Sequence, residues 1–190
     1  MFRSLVSYFY GIKIRENIVP LIITLRTPDF MNDNLLYQIA LTLVPQVGAL
    51  TAKNLVSYCG SAEGVFRASR KELLKIPGIG LVVTNAILSA PSLHLAEREL
   101  EFLEKNKVEA VFYTDERYPT RLKQCADGPV MLFFKGSSSR LLNSERIVAI
   151  VGTRQPGDYG KYACEEIIEG LKPYNIWIIS GLAYGIDITA

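Results

Sequence analysis

Two apolar runs, each ending directly in a glycine loop and separated by one helix-length segment, constrain this chain more than any other feature. The first run, Ile147, Val148, Ala149, Ile150 and Val151, enters the loop Gly152, Thr153, Arg154, Gln155, Pro156 and Gly157, and a helical pattern then runs to about Leu171. The second run, Ile176, Trp177, Ile178 and Ile179, enters Ser180, Gly181, Leu182, Ala183, Tyr184 and Gly185. Branched apolar runs without polar alternation are the pattern of parallel strands covered on both faces, and a parallel pair needs a crossover, here the intervening helix. The segment therefore reads as a βαβ unit with both glycine loops at the carboxyl ends of neighbouring strands. Open α/β sheets bind ligands at that edge, where helix N-termini also concentrate unpaired amides. Arg154 adds a guanidinium that can fork onto a phosphate held by the loop amides. Phosphate is the expected ligand group.

Several phosphate chemistries are excluded by what these loops lack. The first loop is not GxGxxG, and Ser180 stands where a dinucleotide-binding strand presents an acid to the ribose. No GxxxxGK[ST] loop is present, so ATP hydrolysis by a P-loop is not supported. Glycines can also serve only tight packing of strand on helix. That reading is the weaker, because a buried loop arginine would be costly to retain for packing alone. The single histidine, His94, and the absence of HExxH and GxSxG deprive zinc hydrolysis and serine-triad chemistry of their usual parts. No metal or cofactor is expected.

The three cysteines, Cys59, Cys125 and Cys164, match no metal-ligand spacing and leave an odd thiol in any disulfide scheme, which points to a reducing cytoplasm. The apolar stretch from Ile18 to Leu25 is far shorter than the roughly 20 residues a bilayer span needs and contains Pro20, so no membrane association is expected. Residues 1–30 carry four cations against two acids and account for the whole formal charge of +2. They read as an extension or arm of uncertain role. Met31 precedes Asn32, Asp33 and Asn34, a capping sequence for a helix carrying Leu35, Leu36, Ile39, Ala40 and Leu43, and removal of 1–30 is expected to leave the fold intact.

Between 31 and 90 the chain repeats itself with a period of 32: Pro45, Val47 and Gly48 recur as Pro77, Ile79 and Gly80. Each unit runs an apolar helical segment into a Pro-containing hairpin and begins a second helix after the glycine. This resembles the helix-hairpin-helix motif, whose turn wants glycine at positive φ and leaves amides open to a phosphate oxygen. The second unit matches well. The first departs from it with Gln46 at the leading glycine position, although Lys53 could add a charge. Secondary DNA contacts are thus expected at Lys53, Gly78 and Gly80, against a competing reading of the module as a packing domain. At the position equivalent to Lys53 the second unit has the neutral Asn85.

Residues 91–107, with Pro91 in the first turn and Glu97, Glu99, Glu101 and Glu104 among leucines, read as a solvated connecting helix. At 108 the period changes. Residues 108–113 and 130–134 read as strands, with Asp127, Gly128 and Pro129 as a turn, so a second domain is expected over 108–190.

These residues carry a family resemblance. Val151, Gly152, Thr153 and Arg154 with Tyr159 and Gly160, then Ser180 and Gly181 through Gly185, Ile186 and Asp187, resemble the two signature loops of the DNA processing protein A family, also called DprA or Smf. The likeness extends through Tyr118, Pro119, the Asp127 turn and Leu132 to Gly136, and covers about residues 33–190. It implies an α/β chain with an all-α helix-hairpin-helix (SAM-like) domain followed by a Rossmann-like parallel-sheet domain. It also implies single-stranded DNA binding, homodimers in the full-length protein, protection of incoming DNA, and loading of RecA in natural transformation without any catalytic step. Residue by residue, phosphate binding falls on Gly152, Thr153, Arg154, Ser180, Gly181 and Gly185, and loop structuring on Tyr159, Gly160 and Asp187. An acid at 187 is expected to cap the next helix or anchor loop backbone.

A parallel sheet of two strands would leave faces uncovered, so the Rossmann-like domain is expected to be truncated at Ala190 and the DNA site incomplete. The rival reading is a nucleotide-cleaving enzyme of the lysine-decarboxylase-like group. Its PGGxGT loop is absent, and tandem hairpins favour DNA over a free nucleotide. A third reading is an interaction module with an inert Rossmann-like domain.

Overall fold

The computed structural model describes residues 30–136 and 143–190. They fall into two compact units that divide after Lys135. Everything expected of residues 1–29 lies outside the described residues.

The first unit begins with α1 (Phe30–Leu43), already helical before Met31, which puts Asn32, Asp33 and Asn34 in its first turn. There follow α2 (Ala49–Cys59), α3 (Ala62–Arg67), α4 (Arg70–Leu73), α5 (Leu81–Ser89) and α6 (Pro91–Asn106). The 32-residue period reappears in the hydrogen bonds. The Val47 amide donates to Val44 and the Ile79 amide to Ile76; the Ala52 amide donates to Gly48 and the Thr84 amide to Gly80. Gly48 and Gly80 are the extended N-caps of α2 and α5. Leu41 and Leu73, Val44 and Ile76, and Leu55 and Ile87 are buried in pairs. Even the turn conformation is kept without the glycine: Gln46 adopts φ 64° where Gly78 adopts φ 81°. The two hairpins are tied together by Asn54, whose side-chain amide donates 2.8 Å to the Pro77 carbonyl.

Two further features differ from the sequence reading. α6 is not a free connector, because its narrow apolar stripe of Ala96 and Leu103 is buried and packs into the core shared with α1. Its glutamates occupy the remaining, solvated surface, which is what made the helix look unattached. The strands after it also join this core. β1 (Glu109–Phe112) pairs antiparallel with β2 (Met131–Phe134), Val111 opposite Leu132, and Val108, Phe112, Val130 and Met131 pack with the helical residues. The change of period at 108 marks a change of element within one packed unit.

Between these strands, α7 (Thr120–Lys123) and its flanking turns are held by buried and charged contacts. Arg117 bridges Asp115 at 2.6 Å and Glu109 at 3.0 Å. Tyr118 is buried, and its hydroxyl donates to the Pro129 carbonyl.

The second unit is the βαβ segment: β3 (Ile147–Ala149), α8 (Asp158–Leu171), a 3-10 turn at Lys172–Tyr174, β4 (Trp177–Ile179) and α9 (Ile186–Thr189). β3 and β4 are parallel, with Val148 opposite Ile178. Bonds from Trp177 to Arg146 and from Ile150 to Ile179 extend the ladder at both ends. The chain is thus α/β, a helical helix-hairpin-helix region followed by a parallel βαβ segment.

Burial pushes the Tyr118 phenol up to about 12. The folded state therefore favours the protonated phenol, so this contribution is complete below the unfolded value near 10 and is lost as pH rises from there toward 12. Urea unfolding across alkaline pH should show wild type losing roughly 2–3 kcal/mol through that window. Tyr118→Phe should start about 1 kcal/mol less stable at neutral pH and lose correspondingly less on alkalinisation. Parallel curves for the two proteins would assign the alkaline loss to other groups.

Candidate functional site

Because β3 and β4 are parallel neighbours, their carboxyl ends deliver two loops side by side. Three hydrogen bonds lock those loops together. The Asp187 carboxylate accepts from the Gly152 amide at 3.1 Å, the Asp187 carbonyl accepts from the Ser180 hydroxyl at 2.9 Å, and the Ile186 amide donates to the Thr153 carbonyl at 3.1 Å. Asp187 and Ser180 are both buried. A buried carboxylate and a buried hydroxyl are stable here because each is satisfied.

Two glycines make this closeness possible. A methyl group on Gly152 would sit 2.7 Å from the Ile186 side chain. At Gly185, φ is 91°, and a methyl group would lie 2.2 Å from the Thr153 carbonyl oxygen and 2.8 Å from the Arg154 Cα. Backbone from the second loop thus presses directly against the backbone that carries Arg154. Leu182 also adopts a positive φ of 52°, unusual for a branched side chain and another mark of a tightly determined loop.

The residues singled out from the sequence therefore separate into two groups. The Gly152 amide and the Ser180 hydroxyl are engaged with Asp187, and Gly181 lies against the same carboxylate. The Thr153 hydroxyl accepts from the Gln155 amide at 3.2 Å and its carbonyl from Ile186, which shapes the turn before Arg154. The Arg154 side chain, by contrast, is exposed and has no hydrogen-bond or ion-pair partner among the described residues. Tyr159 is exposed in the first turn of α8, while Gly160 lies against Pro156 and Ile186. Asp158 already complements the dipole at the start of α8, so an anion here would rely on Arg154 and the loop amides more than on the helix end. An open cavity of about 340 Å³, lined by Arg146, Ile147, Tyr174 and Ile176, sits at the opposite, amino ends of the strands.

In the helical unit, Gly78 and Gly80 occupy the exposed second hairpin. Lys53 does not stand free beside its hairpin. Its ammonium donates to the carbonyls of Cys125 at 3.2 Å and Ala126 at 2.9 Å, pinning the segment after α7 to α2. The positions that follow the hairpin glycines carry exposed Leu50, Leu81 and Val82 in place of cations. Ile186 and the Thr153 carbonyl were not singled out from the sequence. Their importance arises from an approach across more than thirty residues that no local pattern records.

Residues 109–190 match the family model described as DNA recombination-mediator protein A, and residues 61–90 match the helix-hairpin-helix motif. The chain is 41% identical over 76 residues to the DNA processing protein DprA of Streptococcus pneumoniae, covering 40% of this chain and 26% of that protein. It is 36% identical over 90 residues to DprA of Bacillus subtilis, covering 47% and 30%. It is 27% identical over 161 residues to Protein Smf of Synechocystis, covering 84% of this chain and 40% of that protein. The chain spans well under half the length of these relatives.

The loop lock yields a pair of substitutions with opposite signs. Gly185→Ala should destabilise the second unit by about 2 kcal/mol or more, through the left-handed backbone and the clash with Thr153. Gly170→Ala, in the exposed last turn of α8 with open space around it, should stabilise by about 0.5–1 kcal/mol. Thermal unfolding of both variants checks the pair; a tolerated Gly185→Ala would mean that the loops are not in this contact.

Proposed function

From membership of the DNA recombination-mediator protein A family, which residues 109–190 carry, we propose that this chain supplies a phosphate-binding edge for single-stranded DNA in a recombination mediator. The observation that carries the reading is Arg154: an exposed guanidinium, without a partner among the described residues, on a loop whose backbone is held in place by Asp187 and by the close approach of Gly185. A cation kept free on a rigid loop at the carboxyl edge of parallel strands is arranged to meet an anion that is not part of the fold. The Thr153 and Arg154 amides can add neutral donors to the same phosphate. The role is to bind and hand over a strand, with no bond made or broken.

Delivery of the strand to RecA and assembly as a homodimer enter this proposal from the family resemblance, and residence in the cytoplasm from the cysteine usage. No helix among the described residues is long and apolar enough to cross a membrane. The helical unit supports DNA binding in a lesser way. Its hairpin residues Gly78 and Gly80 are exposed, but the neighbouring side chains are apolar and Lys53 is committed to carbonyls, so Arg154 carries most of the affinity.

Fluorescence anisotropy with labelled single and double strands across a salt series tests this reading. Arg154→Ala should weaken single-strand binding by about tenfold or more, since a charge-assisted contact contributes roughly 1.5–3 kcal/mol. It should also reduce the salt slope by about one phosphate contact. Unchanged affinity with intact circular dichroism would assign Arg154 to another role and remove the centre of the site.

A further inference from the structure

Among the described residues, the three most exposed large apolar or aromatic side chains are Tyr159 at 83%, Tyr184 at 81% and Val151 at 74%. Single exposed apolar groups need no explanation, but these three are gathered on the two glycine loops and the start of α8. Backbone contacts bring them to one edge. Tyr184 precedes Gly185, whose Cβ position is 2.8 Å from the Arg154 Cα. Tyr159 precedes Gly160, whose Cβ position is 3.8 Å from the side-chain tip of Ile186, the residue after Gly185. Two nearly fully exposed tyrosines thus stand on the loop and the helix start that adjoin the Arg154 backbone, and the Arg154 guanidinium has no partner among the described residues.

We propose that Tyr184 and Tyr159 are stacking platforms for unpaired bases beside the Arg154 phosphate contact. The inference rests on the phosphate reading of Arg154 and adds to it what the site recognises: nucleotides whose bases are free to leave the backbone line. A ring with a polar hydroxyl tolerates water when the site is empty and offers a flat face when it is filled. Such stacking is tolerant of sequence because every base has a π-face, and it is denied to a duplex, whose bases are already stacked inside. Arg154 alone would attract any phosphate backbone. The tyrosines give the site its preference for a single strand.

The test uses the 190-residue chain and anisotropy with labelled oligothymidylate, an abasic strand of equal length, and a hairpin duplex, and no measurable binding of oligothymidylate by the wild-type chain would overturn the proposal. Tyr184→Leu and Tyr159→Leu should each weaken oligothymidylate binding by about fivefold or more, and leave the abasic strand bound as before. Tyr184→Phe and Tyr159→Phe should retain wild-type affinity, since the ring and not the hydroxyl does the stacking. Arg154→Ala should weaken both strands. If Arg154→Ala acts while the leucine variants bind oligothymidylate like wild type, or lose the abasic strand equally, the stacking role is overturned and the phosphate reading stands. If Arg154→Ala leaves both strands bound as before, the phosphate reading falls and the stacking role falls with it.

Discussion

The side chain and carbonyl of Asp187 hold together the edge on which the functional reading depends. One buried residue accepts from the Gly152 amide in the first loop and from the Ser180 hydroxyl in the second, so the ends of β3 and β4 cannot separate without stranding buried polar groups. A stranded buried donor or acceptor costs about 1–3 kcal/mol, and more where a charge is involved. Around this clasp, the Thr153 carbonyl meets Ile186 and the Gly185 backbone presses on Arg154. The outcome is a division of labour. Interior-facing groups are employed in fixing the loops, and the Arg154 guanidinium is left exposed and without a partner among the described residues.

The helical unit obeys a different economy. Its internal repeat builds one core from paired apolar positions, and the second hairpin is nearer the ideal than the first, with Gly78 where Gln46 must adopt a left-handed backbone. The same unit takes in α6 and the β1–β2 pair, and Lys53 spans from α2 to the carbonyls after α7. Most of its polar long-range contacts are thus spent on holding itself together. That favours a mainly architectural role for this unit.

Much of this is legible in the sequence. The apolar runs at 147–151 and 176–179 announce a parallel pair because no polar alternation interrupts them, and the period of 32 announces paired hairpins because proline and glycine recur at the same turn positions. Arg154 stands out for its residue type inside a glycine loop. Other features depend on approaches that sequence spacing does not encode. What Asp187 holds is not encoded locally, because its partner lies thirty-five residues away in Gly152. Lys53 reads as a free cation until the carbonyls of Cys125 and Ala126 arrive beside it. α6 reads as a connector because four glutamates outweigh a stripe as narrow as Ala96 and Leu103. Tyr159 and Tyr184 gain significance only when their exposure and their shared edge with Arg154 are seen together.

The claim that the paired loops, and not the hairpins, form the principal strand-binding edge can be tested directly by nuclear magnetic resonance. Isotope-labelled chain would be titrated with oligothymidylate while backbone amide resonances are followed. The account predicts the largest shifts at Thr153, Arg154, Tyr184 and Gly185, with small changes at Gly48, Gly78 and Gly80. Shifts concentrated at the hairpin glycines, with the loops of the βαβ segment unmoved, would contradict it.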